Sequence, residues 1–415
     1  MDRLSNTSQQ LSANSASAKA KLLEKNPDDV VIVAAYRTAI TRARKGPFRE
    51  TASAEILSGL LKATIEKVGI DPKLIEDLVV GNVCNPGAGV NEHRAAQFVA
   101  GIPYTTSFCA INRQCSSGLI AINQIAGEIR QGQISIGLAA GVESMSTQYD
   151  AGKMMSAFPG RFAETDAGMS CLIPMGITSE NVAEKYKLTR QELDEFAANS
   201  FQKAEKAQAA GLFKDEILPV PAYIENEEGD VQTVIVTEDD GIRKGTTAAS
   251  LGKLRPAFSA DGSTTAGNSS QVSDGAGAVL LARRSVAEKL KLPIVGKFVH
   301  CKVAGVPPEI MGVGPAYAIP EALKDLGLTV DDVDIYEINE AFASQALFSI
   351  RDAKIDINKV NPKGGAIAFG HPLGATGARQ VSTLLTELHR TNKKIGVTSM
   401  CIGTGMGAAA VFVAE

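Results

Sequence analysis

The chain has 415 residues, enough for two or three core-bearing units. Hydrophobic residues make up 44% and charged residues 21%, the balance of an ordinary globular protein and not of a disordered one. A net charge of −4 supplies no overall basic field for nucleic acid or acidic lipid, and the longest apolar runs are strand-length, short of the ~18 residues that suggest a membrane span.

Residues 1–27 are rich in Ser, Ala, Asn, Gln and Lys with few apolar anchors, and read as an unpacked N-terminal targeting arm. Within it, Arg3-Leu4, five residues, then Gln10-Leu11 resembles the N-terminal nonapeptide address for peroxisomal import. On a helix Leu4 and Leu11 fall seven apart on one face, a surface that an import receptor can read through residues 3–11. The C-terminus, Val-Phe-Val-Ala-Glu415, lacks the other peroxisomal signal.

From Asp29 the pattern becomes globular. Val30-Val-Ile-Val-Ala-Ala35 is a strand-length apolar run, residues 52–68 repeat apolar positions at helical spacing, and Leu78-Val-Val-Gly81 is a buried strand. A turn at Cys115 leads into a helix with Leu119, Ile120, Ile122, Ile125 and Ile129 on its apolar face, and Ile136-Gly-Leu-Ala-Ala-Gly141 is the next strand. Alternation of this kind predicts an α/β sheet with buried strands.

The same order recurs late in the chain. Val333–Ile338 parallels Asp77–Gly81, the His371 turn and its helix parallel the Cys115 turn and its helix, and Ile395-Gly-Val-Thr-Ser parallels Ile136-Gly-Leu-Ala-Ala. A near-constant offset implies a duplication, with Cys115 and His371 at corresponding turns that meet on a pseudo-twofold axis. The reading divides the chain into the arm (1–27), a first half (28–286) with an inserted lobe at about 147–266, and a second half (287–415). The insert carries Met154, Met155, Met169 and Met175, a charged helix near 189–210, and the acidic run 225–230, read as a solvated hairpin turn.

Six cysteines (84, 109, 115, 171, 301 and 401) include no C-x-x-C pair and no zinc spacing, so no metal is expected. Free thiols fit a reducing compartment. Asn112-Arg-Gln-Cys115-Ser-Ser-Gly118 lies where a strand gives way to a helix, so helix dipole and free N–H groups are expected to lower the thiol pKa and to hold an oxyanion. The other cysteines, apart from Cys401, sit in ordinary contexts and are read as structural or incidental. Of four histidines, His389 ends a helix, His300 lies in an alternating strand, and His93 follows a Gly-rich loop beside Glu92 and Arg94, where a loop or interface contact is expected. His371, in Gly370-His-Pro-Leu-Gly-Ala-Thr-Gly377, is on a tight loop from which an imidazole can reach a cleft. Cys401, ahead of Ile-Gly-Thr-Gly405, is a second thiol that acyl hydrolysis would not need. Carbon–carbon cleavage needs it, because the departing α-carbon must receive a proton.

These segments, with Asn339-Glu-Ala-Phe342, Gly141-Val-Glu-Ser-Met145, Arg255-Pro-Ala-Phe258, Thr265-Ala-Gly-Asn268 and Asp274-Gly-Ala, closely resemble the thiolase family across nearly all of residues 29–415. The resemblance implies the thiolase fold, two α/β halves stacked as α-β-α-β-α layers with an inserted loop domain, in a homodimer or tetramer. It implies Cys115 as acylated nucleophile, His371 as its base and Cys401 as general acid/base at the α-carbon. Asn339 would hold a water in one oxyanion hole with His371, and the N–H groups of Cys115 and Gly403 would form the other. Ser270 would touch the CoA pantetheine arm, and Arg243 and Ser250 the CoA nucleotide. Coenzyme A would be a substrate, and no cofactor is implied. Short-chain members carry a His before the Met of Pro174-Met175-Gly176-Ile-Thr178-Ser-Glu180-Asn181; its absence resembles the degradative, broad-chain branch of peroxisomal fatty-acid β-oxidation. The alternatives are a biosynthetic acetoacetyl-CoA enzyme, a decarboxylating condensing enzyme, against which Cys401 argues, and a noncatalytic acyl-CoA or sterol carrier on the same body.

Overall fold

The computed structural model describes residues 15–150, 159–226 and 228–415. Strand β1 (Val30–Arg37) shows why the two halves share one core. Val31 and Val33 face an outer apolar cluster, whereas Val30 and Ile32 face an inner one. A strand alternates its side chains, so an unbroken apolar run is what two covered faces require.

After β1 come the short β2 (Thr41–Arg42), β3 (Asp77–Gly81), β4 (Ser107–Ile111) and β5 (Ile136–Ser144). The insert contributes a hairpin of β6 (Val220–Glu225) and β7 (Val231–Val236), and β8 (Ser273–Arg283) returns to the body. The second half supplies β9 (Gly296–Gly305), β10 (Ile335–Ile338), β11 (Ile395–Ile402) and β12 (Met406–Ala414). The first half runs β4-β3-β5-β8-β1 across its sheet, and the second runs β10-β11-β12-β9. In both, the pairs at the outer edge of the sheet are parallel and the remainder antiparallel. Val360 pairs in parallel with Tyr336 of β10, at the place β4 holds in the first half. One topology is therefore used twice, with this member reduced to a bridge. The sheets touch where Val31 meets Lys297 and Ile32 meets Gly296.

Between them lies the central layer, built on helices Ser117–Arg130 and Thr376–Arg390. Leu119, Ile122 and Ile125 of one and Val381, Leu384 and Leu385 of the other enter a single cluster with residues of both sheets. The outer layers carry the Ser53–Val68 helix on one side and the Gly314–Asp325 and Ala343–Asp352 helices on the other. This gives the layered thiolase-type α/β fold.

The insert contains the charged helix, at Arg190–Ala209, started by a capping box between Thr189 and Glu192. The acidic run includes the turn between β6 and β7.

One expectation is corrected. The arm is not unpacked throughout: residues 15–23 are helical and lie on the second half. Ala18 and Leu22, four apart on one helix face, join the apolar cluster of Leu328 and Val333. Ser15 Oγ donates to Asp332 at 2.5 Å, and Lys19 Nζ to the Asp332 carbonyl at 3.4 Å. The two small apolar contacts sit among Ser, Ala and Lys, which hides them in a composition count. Residues 3–11, with the nonapeptide pattern, lie outside the described residues.

Candidate active site

The nucleophile turn is held in a strained shape. Gln114 has φ 46°, in the left-handed region that non-glycine residues rarely adopt. Its N–H donates to Asn112 Oδ1 at 2.9 Å, while Ser117 Oγ donates to the Gln114 carbonyl at 2.6 Å. These bonds close a turn between β4 and the Ser117–Arg130 helix and present Cys115, half-buried, at the helix start.

Cys401 is fully buried at the end of β11, packed with Met311 and Ala341. The turn that follows carries Gly403, whose neighbours include the Gln114 side chain, so the second-half loop lies directly on the nucleophile turn. The Gly403 N–H and the Cys115 N–H both act on the Cys115 sulfur in the sense that favours its thiolate.

The electrostatic expectation for this thiol changes sign. Burial pushes Cys115 up to about 11, even though the Gly403 and Cys115 N–H groups pull it down and Glu143 pushes it further up. Desolvation outweighs the hydrogen bonds and the helix end. Burial and then the facing Cys115 also raise the Cys401 thiol above its ordinary range. Both sulfurs are therefore thiols in the resting protein.

His371 is buried on the second-half loop. Its backbone N–H donates to the Gln271 carbonyl at 3.1 Å and to Ser273 Oγ at 3.2 Å. Nδ1 lies 2.6 Å from Thr376 Oγ1, and Nε2 lies 3.4 Å from Asn339 Nδ2. Burial and then the Arg379 charge press the imidazole down to about 3, so it is neutral at physiological pH. Asn339 is fully buried, and its Oδ1 has no partner among the described residues.

Glu143 ties the turns together. Its carboxylate accepts from Asn82 Nδ2 at 2.9 Å, from the N–H groups of Val83 and Cys84 at 3.1 and 3.0 Å, and from Gly374 N–H at 2.9 Å. One buried carboxylate thus joins the loop after β3 to the loop that carries His371. Glu340, beside Asn339, does similar work: it accepts from Ser200 Oγ at 2.6 Å and from Asn361 Nδ2 at 2.7 Å.

The structure brings Cys115, Cys401 and Gly403 together, and pairs His371 with Asn339. Ser270 N–H donates to the Ala341 carbonyl at 2.9 Å, which puts Ser270 at the edge of the same loop. Arg243 and Ser250 are exposed on the insert, where Ser250 Oγ donates to the Thr247 carbonyl at 2.7 Å. His93 is fully buried, with Nδ1 3.2 Å from the Ala88 carbonyl and Nε2 3.0 Å from Ser53 Oγ, a contact internal to the chain. Cys84 was grouped with the incidental thiols, yet it stands against Glu143 and within electrostatic reach of Cys115. Thr376 and Glu143 lie inside segments already quoted for the resemblance; their roles have no sequence signal beyond a polar residue among glycines. Among the described residues, no group of three His, Cys, Asp or Glu side chains is placed to hold a metal ion, and no helix is long and apolar enough to cross a membrane.

Comparison with known proteins agrees with this fold. Residues 30–285 match the thiolase N-terminal domain and residues 292–414 the thiolase C-terminal domain. The chain is 62% identical over 415 residues, the whole of both chains, to the peroxisomal 3-ketoacyl-CoA thiolase of Yarrowia lipolytica. It is 56% identical over 385 residues to the human peroxisomal 3-ketoacyl-CoA thiolase, covering 92% of this chain and 90% of that one. The crystal structure of the dimeric peroxisomal thiolase of Saccharomyces cerevisiae superposes with a TM-score of 0.89 at 55% identity, over 95% of this chain and 100% of that one. Two domain matches that together span almost the whole body, a duplicated fold and the convergence of two thiols lead to one conclusion: the chain belongs to the thiolase family.

Proposed function

We propose that this protein cleaves 3-ketoacyl-CoA with free CoA, giving acetyl-CoA and an acyl-CoA two carbons shorter, in peroxisomal fatty-acid β-oxidation. The observation that carries the reading is the turn after Cys401 lying on the nucleophile turn through Gly403 and Gln114, which puts the two sulfurs within electrostatic reach of each other. One sulfur holds an acyl group while the other handles a proton on carbon.

His371 Nε2 takes the Cys115 proton as the sulfur attacks the C3 carbonyl. An imidazole pressed down to about 3 is a poor resting cation. It accepts the proton only as the neighbouring oxyanion forms, which couples the two events. The oxyanion collapses, the C2–C3 bond breaks, and Cys401 gives its proton to C2 of the leaving acetyl-CoA enolate. Free CoA then loses its thiol proton to the Cys401 thiolate and attacks the acyl group on Cys115. His371 returns its proton to the departing Cys115 sulfur, so the cycle closes with no net proton change.

The N–H groups of Cys115 and Gly403 serve the thioester-derived oxyanion. Asn339 Oδ1 is free to hold a water that completes the other hole with His371. Ser270 meets the pantetheine arm, while Arg243 and Ser250 serve the nucleotide end at the surface of the insert. The protein acts as a homodimer, as the yeast relative does, and enters the peroxisome through a receptor that reads residues 3–11. Coenzyme A is substrate, and no cofactor takes part.

The test is CoA-dependent cleavage across 3-ketoacyl chain lengths. Turnover on medium and long chains is expected. Activity confined to acetoacetyl-CoA would move the protein to the short-chain branch, and no turnover on any chain would leave a carrier.

A further inference from the structure

Thr376 opens the Thr376–Arg390 helix, yet its hydroxyl makes no capping bond; the N-cap is Ala375, which has no side-chain acceptor. The residue is fully buried, and the hydrogen-bond partner of its hydroxyl is His371 Nδ1, at 2.6 Å. On the opposite side of the ring, Nε2 faces Asn339 Nδ2 at 3.4 Å. An amide nitrogen only donates, so with this amide orientation Nε2 must be the bare nitrogen and Nδ1 must carry the proton. A hydroxyl oxygen 2.6 Å away is the acceptor that this proton requires.

We propose that Thr376 is a positioning residue that, with the Asn339 amide donor on the other side of the ring, holds His371 in the Nδ1–H tautomer by accepting the Nδ1 proton, leaving the Nε2 lone pair to receive the thiol proton. The geometry leaves the ring little alternative. The His371 backbone is fixed by Ser273 and Gln271. Gly370 just before it has φ 113°, and a side chain there would strike Ser273 Oγ. With the backbone held, the ring chooses its tautomer by what Nδ1 meets. If Nδ1 met an apolar group, its proton would be buried without an acceptor, which favours the tautomer with the proton on Nε2, facing inward. The base would then be in place but blocked.

One other ionisable group bears on the ring. Arg379, three residues along the same helix, is buried against Glu337 at 3.2 Å, and its charge opposes protonation of the imidazole. Burial and this charge set whether the ring is charged. They do not choose between two neutral tautomers; the Asn339 amide donor at Nε2 does, and the Thr376 hydroxyl accepts the proton that this leaves on Nδ1.

The inference rests on the reading of His371 as the base, so its test includes an arm that needs no turnover. Thr376→Val keeps the shape and removes the acceptor; Thr376→Ser keeps the oxygen. Nitrogen-15 NMR of histidine-labelled protein reports the tautomer directly, and with four histidines in the chain the His371 signals are assigned with a His371→Asn control. The wild-type protein and Thr376→Ser are expected to show Nδ1 protonated, and Thr376→Val to show Nε2 protonated or a mixture. In the cleavage assay, Thr376→Val should lower kcat by about 10- to 100-fold, the lower part of what general-base catalysis supplies, with little change in KM, and Thr376→Ser should restore most of it. If Thr376→Val does not fold, Thr376→Ala carries the same measurements. An unchanged Nδ1–H signature in the variant lacking the hydroxyl, or a Ser variant as impaired as the Val variant, would overturn the proposal. A tautomer shift without any cleavage activity in the wild type would instead count against the function alone.

Discussion

Gly118 and Gly374 meet backbone to backbone: a Cβ placed on Gly118 would lie 2.6 Å from the Gly374 carbonyl oxygen. This contact is where the nucleophile helix of the first half meets the histidine loop of the second. Close approach without side chains lets the turns that carry Cys115 and His371 pack together from two halves of one duplicated topology.

Gly118→Ala should therefore damage the site and the fold together. The added methyl strikes a carbonyl that cannot retreat, because Gly374 N–H is fixed to Glu143. Overpacking of this kind costs about 1–3 kcal/mol, and the shift falls on the His371 loop. Thermal unfolding should show the loss of stability, and turnover should fall more than stability alone explains. An alanine variant with wild-type melting and wild-type turnover would show that the two loops are not packed as described.

Cys401→Ala separates the two chemistries. Acyl transfer between Cys115 and CoA needs no proton on carbon, and the CoA thiol, unlike C2, is acidic enough to ionise without Cys401, so exchange of labelled CoA into an acyl-CoA should persist at a reduced rate. Cleavage of the C2–C3 bond should fall by about 10²- to 10⁴-fold, the range of a lost general acid. Loss of both reactions to the same degree would remove Cys401 from its assigned role.

The pH dependence of alkylation tests the resting charge state. With Cys115 pushed up to about 11 and His371 pressed down to about 3, the neutral thiol–imidazole pair is the resting form. The Cys115 thiolate appears as pH rises toward its raised pKa, so iodoacetamide should react ever faster from pH 7 to pH 10 without a plateau. Protonating His371 requires pH near 3, so no step should occur near 6.5. A rate that levels off between pH 5 and 7 would reveal a thiolate–imidazolium pair and contradict the desolvation argument.

Much of this site could be read from residue types alone. Cys115, His371 and Cys401 each stand among glycines, because reactive groups that meet a ligand need backbone close by. The repeated order of strand, reactive turn and helix exposed the duplication, and β1 announced its two covered faces as an unbroken apolar run. Charge state was not legible: the helix start at Ser117 suggested a lowered thiol pKa, whereas burial, which depends on the whole fold, sets its direction. Glu143 was invisible as a tie because its partners come from two distant segments, residues 82–84 and Gly374. The docked helix at residues 15–23 was missed because Ala18 and Leu22 are too few to form a pattern, yet suffice against a waiting apolar surface.

The most direct test mixes the protein with a 3-ketoacyl-CoA in the absence of free CoA and follows it by mass spectrometry of the intact chain and its peptides. The account predicts one acyl group, two carbons shorter than the substrate acyl chain, on the peptide containing Cys115, with one acetyl-CoA released per site, and its discharge when CoA is added. An adduct on another residue, or acetyl-CoA formed with Cys115 left unmodified in a single turnover, would contradict it.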